Sequence, residues 1–184
     1  KEGRAMVGST VNFMRTQPVA AAAVAIAVIG VAAILGAYYF QFVLGYQPCP
    51  LCLEQRFAYY FAIPLSAMIL LGLAVGSSRK VLLLALLAIA TVMLWNTGLG
   101  VYHSGVEWHW WPGPQDCSGA TPNFSAGGSL IDQINRTRVI RCDEAAWRFL
   151  GLSLAGYNVL ISLLLAAIAA CGVAALFKQN APSS

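Results

Sequence analysis

Four long uncharged stretches restrict what this chain can fold into. Each holds about 20 consecutive apolar residues, the length that an α-helix needs to cross roughly 30 Å of hydrocarbon. Backbone amides find no water inside a bilayer, so such stretches have to be helical. The predicted spans cover residues about 18–44, 57–75, 81–101 and 149–177. The sequence therefore predicts an all-α membrane protein, a bundle of four transmembrane helices in a single domain 1–184.

The charge content agrees with a lipid environment. Only 10% of the residues are charged and 59% are hydrophobic, whereas a soluble domain has roughly 25% charged residues. The net charge of +4 comes from scattered Lys and Arg, so nucleic acid is a poor candidate partner. The first apolar stretch is too long for the core of a signal peptide and lacks a clear cleavage site, so we expect it to be a span.

Basic residues set the predicted orientation. Four spans place both termini on one side, together with the short connection that carries Arg79 and Lys80. Short basic loops mark the cytoplasmic side, so we expect both termini there. The loops about 45–56 and 102–148 then face the outer compartment. Within the longer loop, residues 129–140 fit either a short amphipathic helix on the membrane surface or a solvated loop.

Four of the five cysteines fall in these two outer loops. Cys49 and Cys52 form a CxxC pair in the first loop, and Cys117 and Cys142 lie in the second. In an oxidising compartment four cysteines allow three pairings, and the sequence alone does not choose among them. We expect Cys171 to be buried in the fourth span as a small apolar residue.

Structural disulfides, a zinc site and a redox relay compete to explain the four cysteines. A bridge between Cys117 and Cys142, which are 25 positions apart, would contribute about 3 kcal/mol, but a CxxC ring constrains little of the unfolded chain. A four-thiol zinc site usually has a second CxxC, which is missing here. The redox hypothesis explains more, because Cys52 is predicted just before the second helix, where helix amides favour a thiolate.

Polar residues near and within the spans are further candidates for a functional or a structural role. Arg56 lies one helical turn after Cys52 and can stabilise a thiolate or an anionic acceptor, although an interfacial arginine is the simpler explanation. The chain has no dinucleotide fingerprint and no haem-attachment motif, so a small membrane-soluble acceptor such as a lipid quinone is expected. Asn96 and Thr97, in the third span, are expected to form hydrogen bonds between helices.

Specific segments resemble the DsbB family of bacterial inner-membrane thiol oxidases. They are "CPLCLEQR" at 49–56, "VYHSGVEW" at 101–108, "PGPQDC" at 112–117 and "CDEAAWRFLGLSLAGYN" at 142–158. The resemblance covers nearly the whole chain. It implies a protein-dithiol:quinone oxidoreductase that reoxidises a periplasmic thioredoxin-like protein of DsbA type. It also implies ubiquinone or menaquinone as the electron acceptor, with no metal required.

The resemblance also implies roles for the cysteines. Cys49 and Cys52 match the pair nearest the quinone, and Cys52 is the cysteine that engages the quinone ring. Cys117 and Cys142 match the pair that oxidises the soluble partner, with Cys117 forming the mixed disulfide. Cys142 would then exchange with Cys49.

Three further residues match positions around the quinone. Arg56 matches an arginine associated with quinone binding, and His103 falls where the family has a histidine near the quinone. Glu54 lies beside the same site and is expected to tune it. Without the resemblance, a lone histidine at a helix end is more often an interfacial residue than a catalytic one.

Two alternatives remain at this stage. A relative of vitamin K epoxide reductase is also a four-helix thiol–quinone enzyme, but the long second outer loop with its own cysteine pair argues against it. A non-enzymatic membrane protein, either metal-binding or stapled by disulfides, is the alternative from another class.

Overall fold

The computed structural model describes residues 2–114 and 142–178, with side chains from residue 17 onward. Within them lie four long helices, α1 (Glu2–Tyr38), α2 (Pro50–Ala74), α3 (Arg79–Glu107) and α4 (Leu154–Lys178). A π-helical turn, Tyr39–Val43, extends α1, and strands β1 (Arg148–Phe149) and β2 (Leu152–Ser153) precede α4. Cys117 and the segment 129–140 lie outside the described residues.

All four helices include a segment long and apolar enough to cross a membrane. These segments are Gln17–Val43, Pro50–Ala74, Arg79–Glu107 and Leu154–Lys178. Large apolar side chains cover the outside of the bundle, including Val28, Leu71 and Trp95. Such a surface would be unfavourable in water and suits hydrocarbon. The predicted four-helix membrane bundle is therefore confirmed.

The helices close into a ring in which each packs on two neighbours. Helix α1 packs on α2 and α4, and α3 packs on the same two helices. The core between them is apolar, with Ile26, Leu86 and Leu165 fully buried. Helices α3 and α4 approach closely at Gly100, where a Cβ atom would lie 2.8 Å from Cγ2 of Val159. Small residues permit this approach in membrane bundles.

Helix α2 begins earlier than the predicted span, at Pro50, and this changes the position of Cys52. Proline suits the first position of a helix because its φ is already helical and its missing N–H has no partner to lose. Cys49 is the N-cap residue, and its Sγ accepts the backbone N–H of Cys52 at 3.2 Å. The prediction that Cys52 precedes the helix is wrong, because it lies in the first turn.

Helix α4 begins at Leu154, after a tight hairpin, although the predicted span starts at residue 149. Arg148 pairs with Ser153 and Phe149 with Leu152. The two turn residues, Leu150 and Gly151, have φ values of 48° and 82°. Positive φ at both positions matches the twist of a two-residue hairpin. The hairpin lies against the end of α3, because Arg148 of β1 donates to the main-chain oxygen of Glu107.

Two predictions about the spans need correction. Cys171 is exposed on α4 and not buried, because a helix that is apolar all round does not reveal which face packs inward. Thr97 donates to the main-chain oxygen of Met93 within its own helix, at 2.8 Å. Asn96 does bond to another helix, as predicted, by donating to Oγ of Ser162 at 2.9 Å.

Candidate redox site

The CxxC pair lies at the N-terminus of α2 with both thiols free. The Cys49 thiol donates to Sγ of Cys52 at 2.7 Å. That hydrogen bond is the main cause, followed by burial, of the raised pKa of the Cys49 thiol. The two sulfurs therefore differ, because Cys49 is held as the protonated donor and Cys52 is the acceptor.

Helix α3 brings His103 against this pair. Its Nε2 lies 3.6 Å from Sγ of Cys49, and the side chain is 2% exposed. On the other side of the ring, Nε2 of Gln55 lies 2.9 Å from Nδ1. An amide offers both donors and an acceptor, so Gln55 can hold either tautomer of the imidazole by rotating its amide group. The histidine thus has one nitrogen directed at a reactive sulfur and the other fixed by α2.

Glu107 adds a carboxylate one turn after His103. Its Oε1 lies 3.8 Å from Nε2 of His103. Its Oε2 is buried and has no hydrogen-bond partner in the described part of the chain. Arg148, on β1, donates to the main-chain oxygen of Glu107 at 3.4 Å. We call Cys49, Cys52, Gln55, His103 and Glu107 the thiol cluster.

A second cysteine from the other outer loop reaches the same place. Cys142 is disulfide-bonded and 1% exposed, and it shares a small buried cluster with Cys49, Leu51 and Val106. A disulfide and a reduced dithiol therefore lie within one packed unit. A four-thiol zinc site does not fit this state, because a disulfide sulfur of Cys142 is not a thiolate ligand.

Arg56 lies one turn beyond Cys52 but has a different set of neighbours. Its Nη1 donates to Oε1 of Gln41 at 2.7 Å, and its guanidinium carbon lies 5.4 Å from the centroid of the Tyr38 ring. The Tyr38 hydroxyl in turn bonds to that of Tyr60 at 2.8 Å. We call Tyr38, Gln41, Arg56 and Tyr60 the arginine patch. It joins the end of α1 to α2.

Of the other predicted site residues, some belong to the thiol cluster and others do not. His103 belongs to the thiol cluster, since its ring nitrogens face Gln55 and Cys49. Glu54 is exposed, and its side chain forms no hydrogen bond or ion pair with another described residue. Cys49, Cys52 and Cys142 come together, whereas Cys117 lies outside the described residues.

Five residues of these two groups were missed from the sequence: Tyr38, Gln41, Gln55, Tyr60 and Glu107. Gln41 is a polar amide in an apolar span, and polar groups at membrane depth are commonly functional. Glu107 is four residues after His103, so the two share a helix face. Gln55 had no such signal, because its contact with His103 depends on how α2 and α3 are rotated against each other.

The ligand atoms of Cys49, Cys52 and His103 lie within 4.8 Å of one another. Two sulfurs and an imidazole at this spacing could hold a metal ion. Without a metal ion the same atoms can exchange protons and electrons, so the geometry is compatible with both metal binding and thiol redox chemistry.

A four-helix membrane bundle with a free CxxC pair packed near a disulfide defines a class, the membrane thiol–disulfide oxidoreductases. The family model for the disulfide bond formation protein DsbB matches residues 19–172, and the chain belongs to this family. The protein is therefore a multi-pass membrane oxidoreductase of disulfide bond formation.

Individual relatives agree with the family. A disulfide bond formation protein B of Verminephrobacter eiseniae is 30% identical over 79% of this chain and 82% of its own length. Another from Albidiferax ferrireducens is 30% identical over 67% of this chain and 69% of its own. An uncharacterised protein of Rickettsia prowazekii is 25% identical over 87% of this chain and 91% of its own. No solved structure matches the chain significantly.

Proposed function

We propose that this protein oxidises the dithiol of a periplasmic thioredoxin-like protein of DsbA type and passes the two electrons to a membrane quinone. The observation that carries the proposal is the packing of disulfide-bonded Cys142 in one cluster with the free thiol of Cys49. Thiol–disulfide exchange needs the attacking sulfur and the disulfide close together, and this cluster supplies both.

The proposed relay conserves electrons at each step. The two thiols of the soluble partner reduce a Cys117–Cys142 disulfide through a mixed disulfide on Cys117, and the partner leaves oxidised. The freed Cys142 thiolate attacks the Cys49–Cys52 disulfide at Cys49, and Cys117 then resolves the bond to Cys142. Two electrons and two protons now reside on Cys49 and Cys52. The free thiols of this pair beside a disulfide-bonded Cys142 correspond to that state.

His103 is placed to move the Cys49 proton. The raised pKa of Cys49 keeps this thiol protonated at neutral pH, so a base is needed before its sulfur can close a disulfide. Nε2 of His103 is the nitrogen that contacts it, at 3.6 Å. Gln55 can accept or donate at Nδ1 and therefore supports the ring before and after transfer.

The arginine patch fits a quinone. A lipid quinone is a flat ring that carries two carbonyl oxygens and a lipid tail. When bound, it accepts two electrons and two protons. The Arg56 guanidinium has five N–H donors, and Gln41 takes one of the two on Nη1. Exposed rings of Phe42, in the π-helical turn that extends α1, and of Phe57, in α2, lie nearby in the chain and suit a lipid tail. Arg56 would hold a carbonyl oxygen one turn from Cys52.

The proposed location follows from the same chemistry. A protein-dithiol oxidase has to expose its outer cysteines to an oxidising compartment. We propose the bacterial inner membrane, with both termini in the cytoplasm and the thiol cluster at the periplasmic end of the bundle. Ubiquinone and menaquinone are the candidate acceptors.

A turnover assay tests the relay. Purified protein with a reduced thioredoxin-like substrate should consume quinone, and Cys52→Ser should reduce the rate to background because no sulfur then completes the disulfide with Cys49. Cys171→Ala is the matched control, since this cysteine is exposed on α4 away from the cluster, and it should keep full activity. Full turnover by Cys52→Ser would rule out the mechanism.

The quinone site has its own test. Arg56→Ala should raise the KM for quinone about 10- to 100-fold, the range expected when a hydrogen bond from a charged group is lost. The KM for the protein substrate should not change. Arg79→Ala is the control, because Arg79 also lies over an aromatic ring, that of Phe177, 5.3 Å away. An unchanged quinone KM in Arg56→Ala would move the site away from the patch.

A further inference from the structure

The reduced thiol cluster has the makings of a tetrahedral metal site. Its Cys49, Cys52 and His103 ligand atoms lie within 4.8 Å of one another, with Cys49 and His103 buried and Cys52 half-buried. Two thiolates and an imidazole are a soft donor set of the kind that zinc prefers. This set differs from a four-cysteine site, since it uses neither of the second-loop cysteines.

The spacing already fits zinc at the contact between Cys49 and His103. With Zn–S about 2.3 Å and Zn–N about 2.0 Å, a tetrahedral ion holds sulfur and nitrogen about 3.5 Å apart and two sulfurs about 3.8 Å apart. Sγ of Cys49 and Nε2 of His103 are already 3.6 Å apart. The two sulfurs are 2.7 Å apart because a hydrogen bond joins them, so they would have to separate by about 1 Å when that proton leaves.

The surroundings offer Glu107 as a fourth ligand, whose carboxylate would have to move toward the group of Cys49, Cys52 and His103, and a support for the imidazole. The buried Oε2 of Glu107 has no hydrogen-bond partner among the described residues, and its side chain approaches Nε2 of His103 from the next turn. The Gln55 amide contacts Nδ1 at 2.9 Å. A histidine that binds zinc through Nε2 usually donates its other N–H to an oxygen, and the amide oxygen of Gln55 can provide it.

We propose that the reduced Cys49–Cys52 pair, together with His103 and Glu107, binds one Zn²⁺ and that this binding blocks reoxidation of the pair. The two thiols each lose a proton on binding, and both sulfurs become zinc ligands. A sulfur held by zinc is a poor electron donor to an acceptor and cannot close a disulfide. The oxidised pair has no thiolates, so zinc would bind only the reduced enzyme and act as a reversible inhibitor.

Zinc binding to the full chain tests this directly, without quinone or partner protein. Reduced, quinone-free protein in detergent should take up one Zn²⁺ per chain in competition with a chromophoric chelator, and the oxidised protein should take up none. Co²⁺ in place of zinc should give the visible bands of a tetrahedral ion and a thiolate charge-transfer band. Zinc should also protect Cys49 and Cys52, but not Cys171, from alkylation.

Variants assign the ligands. His103→Ala should weaken zinc binding by more than about 100-fold, and Gln55→Leu, which removes only the support, by about 10- to 100-fold. His109→Asn is the control, because His109 follows α3 at a positive φ of 61° that Asn tolerates, and it should bind as the unchanged chain does. Equal affinity in the oxidised protein or in His103→Ala would overturn the proposal, as would alkylation of Cys49 and Cys52 at the same rate with zinc present.

Discussion

Two polar clusters in the described part of this bundle are built in opposite ways. The thiol cluster lies at one end, where α2 begins and α3 ends. The second, the asparagine cluster, lies deeper and comprises Tyr59, Asn96, Asn158 and Ser162. There the Tyr59 hydroxyl donates to Oδ1 of Asn158 at 2.6 Å, and Asn96 donates to Ser162 at 2.9 Å. The asparagine cluster therefore joins α2, α3 and α4 through short hydrogen bonds.

The difference shows which cluster holds the fold and which is free to react. Contacts of His103 with Cys49 and Glu107 are long, at 3.6 and 3.8 Å, and the groups can change charge or oxidation state. The asparagine cluster consists of amides and hydroxyls that stay neutral at physiological pH. Each cluster keeps one buried unpartnered atom in the described residues, a carboxylate oxygen of Glu107 and an amide nitrogen of Asn158.

The largest effect is expected from His103→Ala. Loss of an acid–base group should lower turnover by about 100-fold or more, and the free energy of unfolding should fall only by the smaller amount that the buried ring and its 2.9 Å contact with Gln55 contribute. Steady-state rates and detergent unfolding of the same preparation measure both. If His103→Ala keeps its activity but loses stability, the thiol cluster holds the fold and is not the part that reacts.

Asn158→Leu is expected to do the opposite. Oδ1 of Asn158 accepts from Tyr59, so the leucine leaves a buried hydroxyl without its best partner and should lower the free energy of unfolding by about 2 kcal/mol. Turnover at low temperature should be almost unchanged. Thr97→Val is the control, because Thr97 bonds only within α3. A loss of activity without a loss of stability would place the asparagine cluster in the reaction.

Much of this arrangement was predictable from the sequence, for identifiable reasons. Four uncharged apolar runs are long enough to define the bundle, and the CxxC with Arg56 one turn later indicates redox chemistry. The start of α2 was not predicted, since cysteine is not among the preferred N-cap residues. The hairpin before α4 was also missed, because Leu150 adopts a positive φ that sequence patterns assign to Gly or Asn.

Contacts between helices were the least predictable part. The helices are apolar on almost all sides, so the sequence does not determine how each is rotated about its axis. That rotation decides that Gln55 meets His103, that Asn158 faces Tyr59 and that Cys171 points outward. Asn96 was the exception, because a strongly polar amide in the middle of a span requires an internal partner.

A smaller effect is expected on the pKa of Cys49 when Cys52 is replaced. The hydrogen bond to Cys52 is the main cause of the raised pKa of the Cys49 thiol. Cys52→Ala removes the acceptor, so this pKa should fall toward its ordinary value. The pH midpoint for alkylation of Cys49, followed by mass spectrometry, should therefore move down, with Cys171→Ala as a control that leaves it in place. An unchanged midpoint would mean that burial alone controls the thiol.

Tyr59→Phe should have the smallest effect and tests whether the asparagine cluster acts as a unit. Removing the hydroxyl leaves Oδ1 of Asn158 with weaker contacts at 3.5 Å to Asn96 and Ser162. The cost should be about 0.6 kcal/mol, typical of a hydrogen bond between membrane helices. Tyr59→Phe combined with Asn158→Leu should be no less stable than Asn158→Leu alone, because the hydroxyl that lost its best partner is now gone. If the losses in free energy of unfolding from the two substitutions add, the Tyr59 hydroxyl is stabilised through Ser162 at 3.2 Å. The asparagine cluster then consists of separate bonds that do not depend on one another.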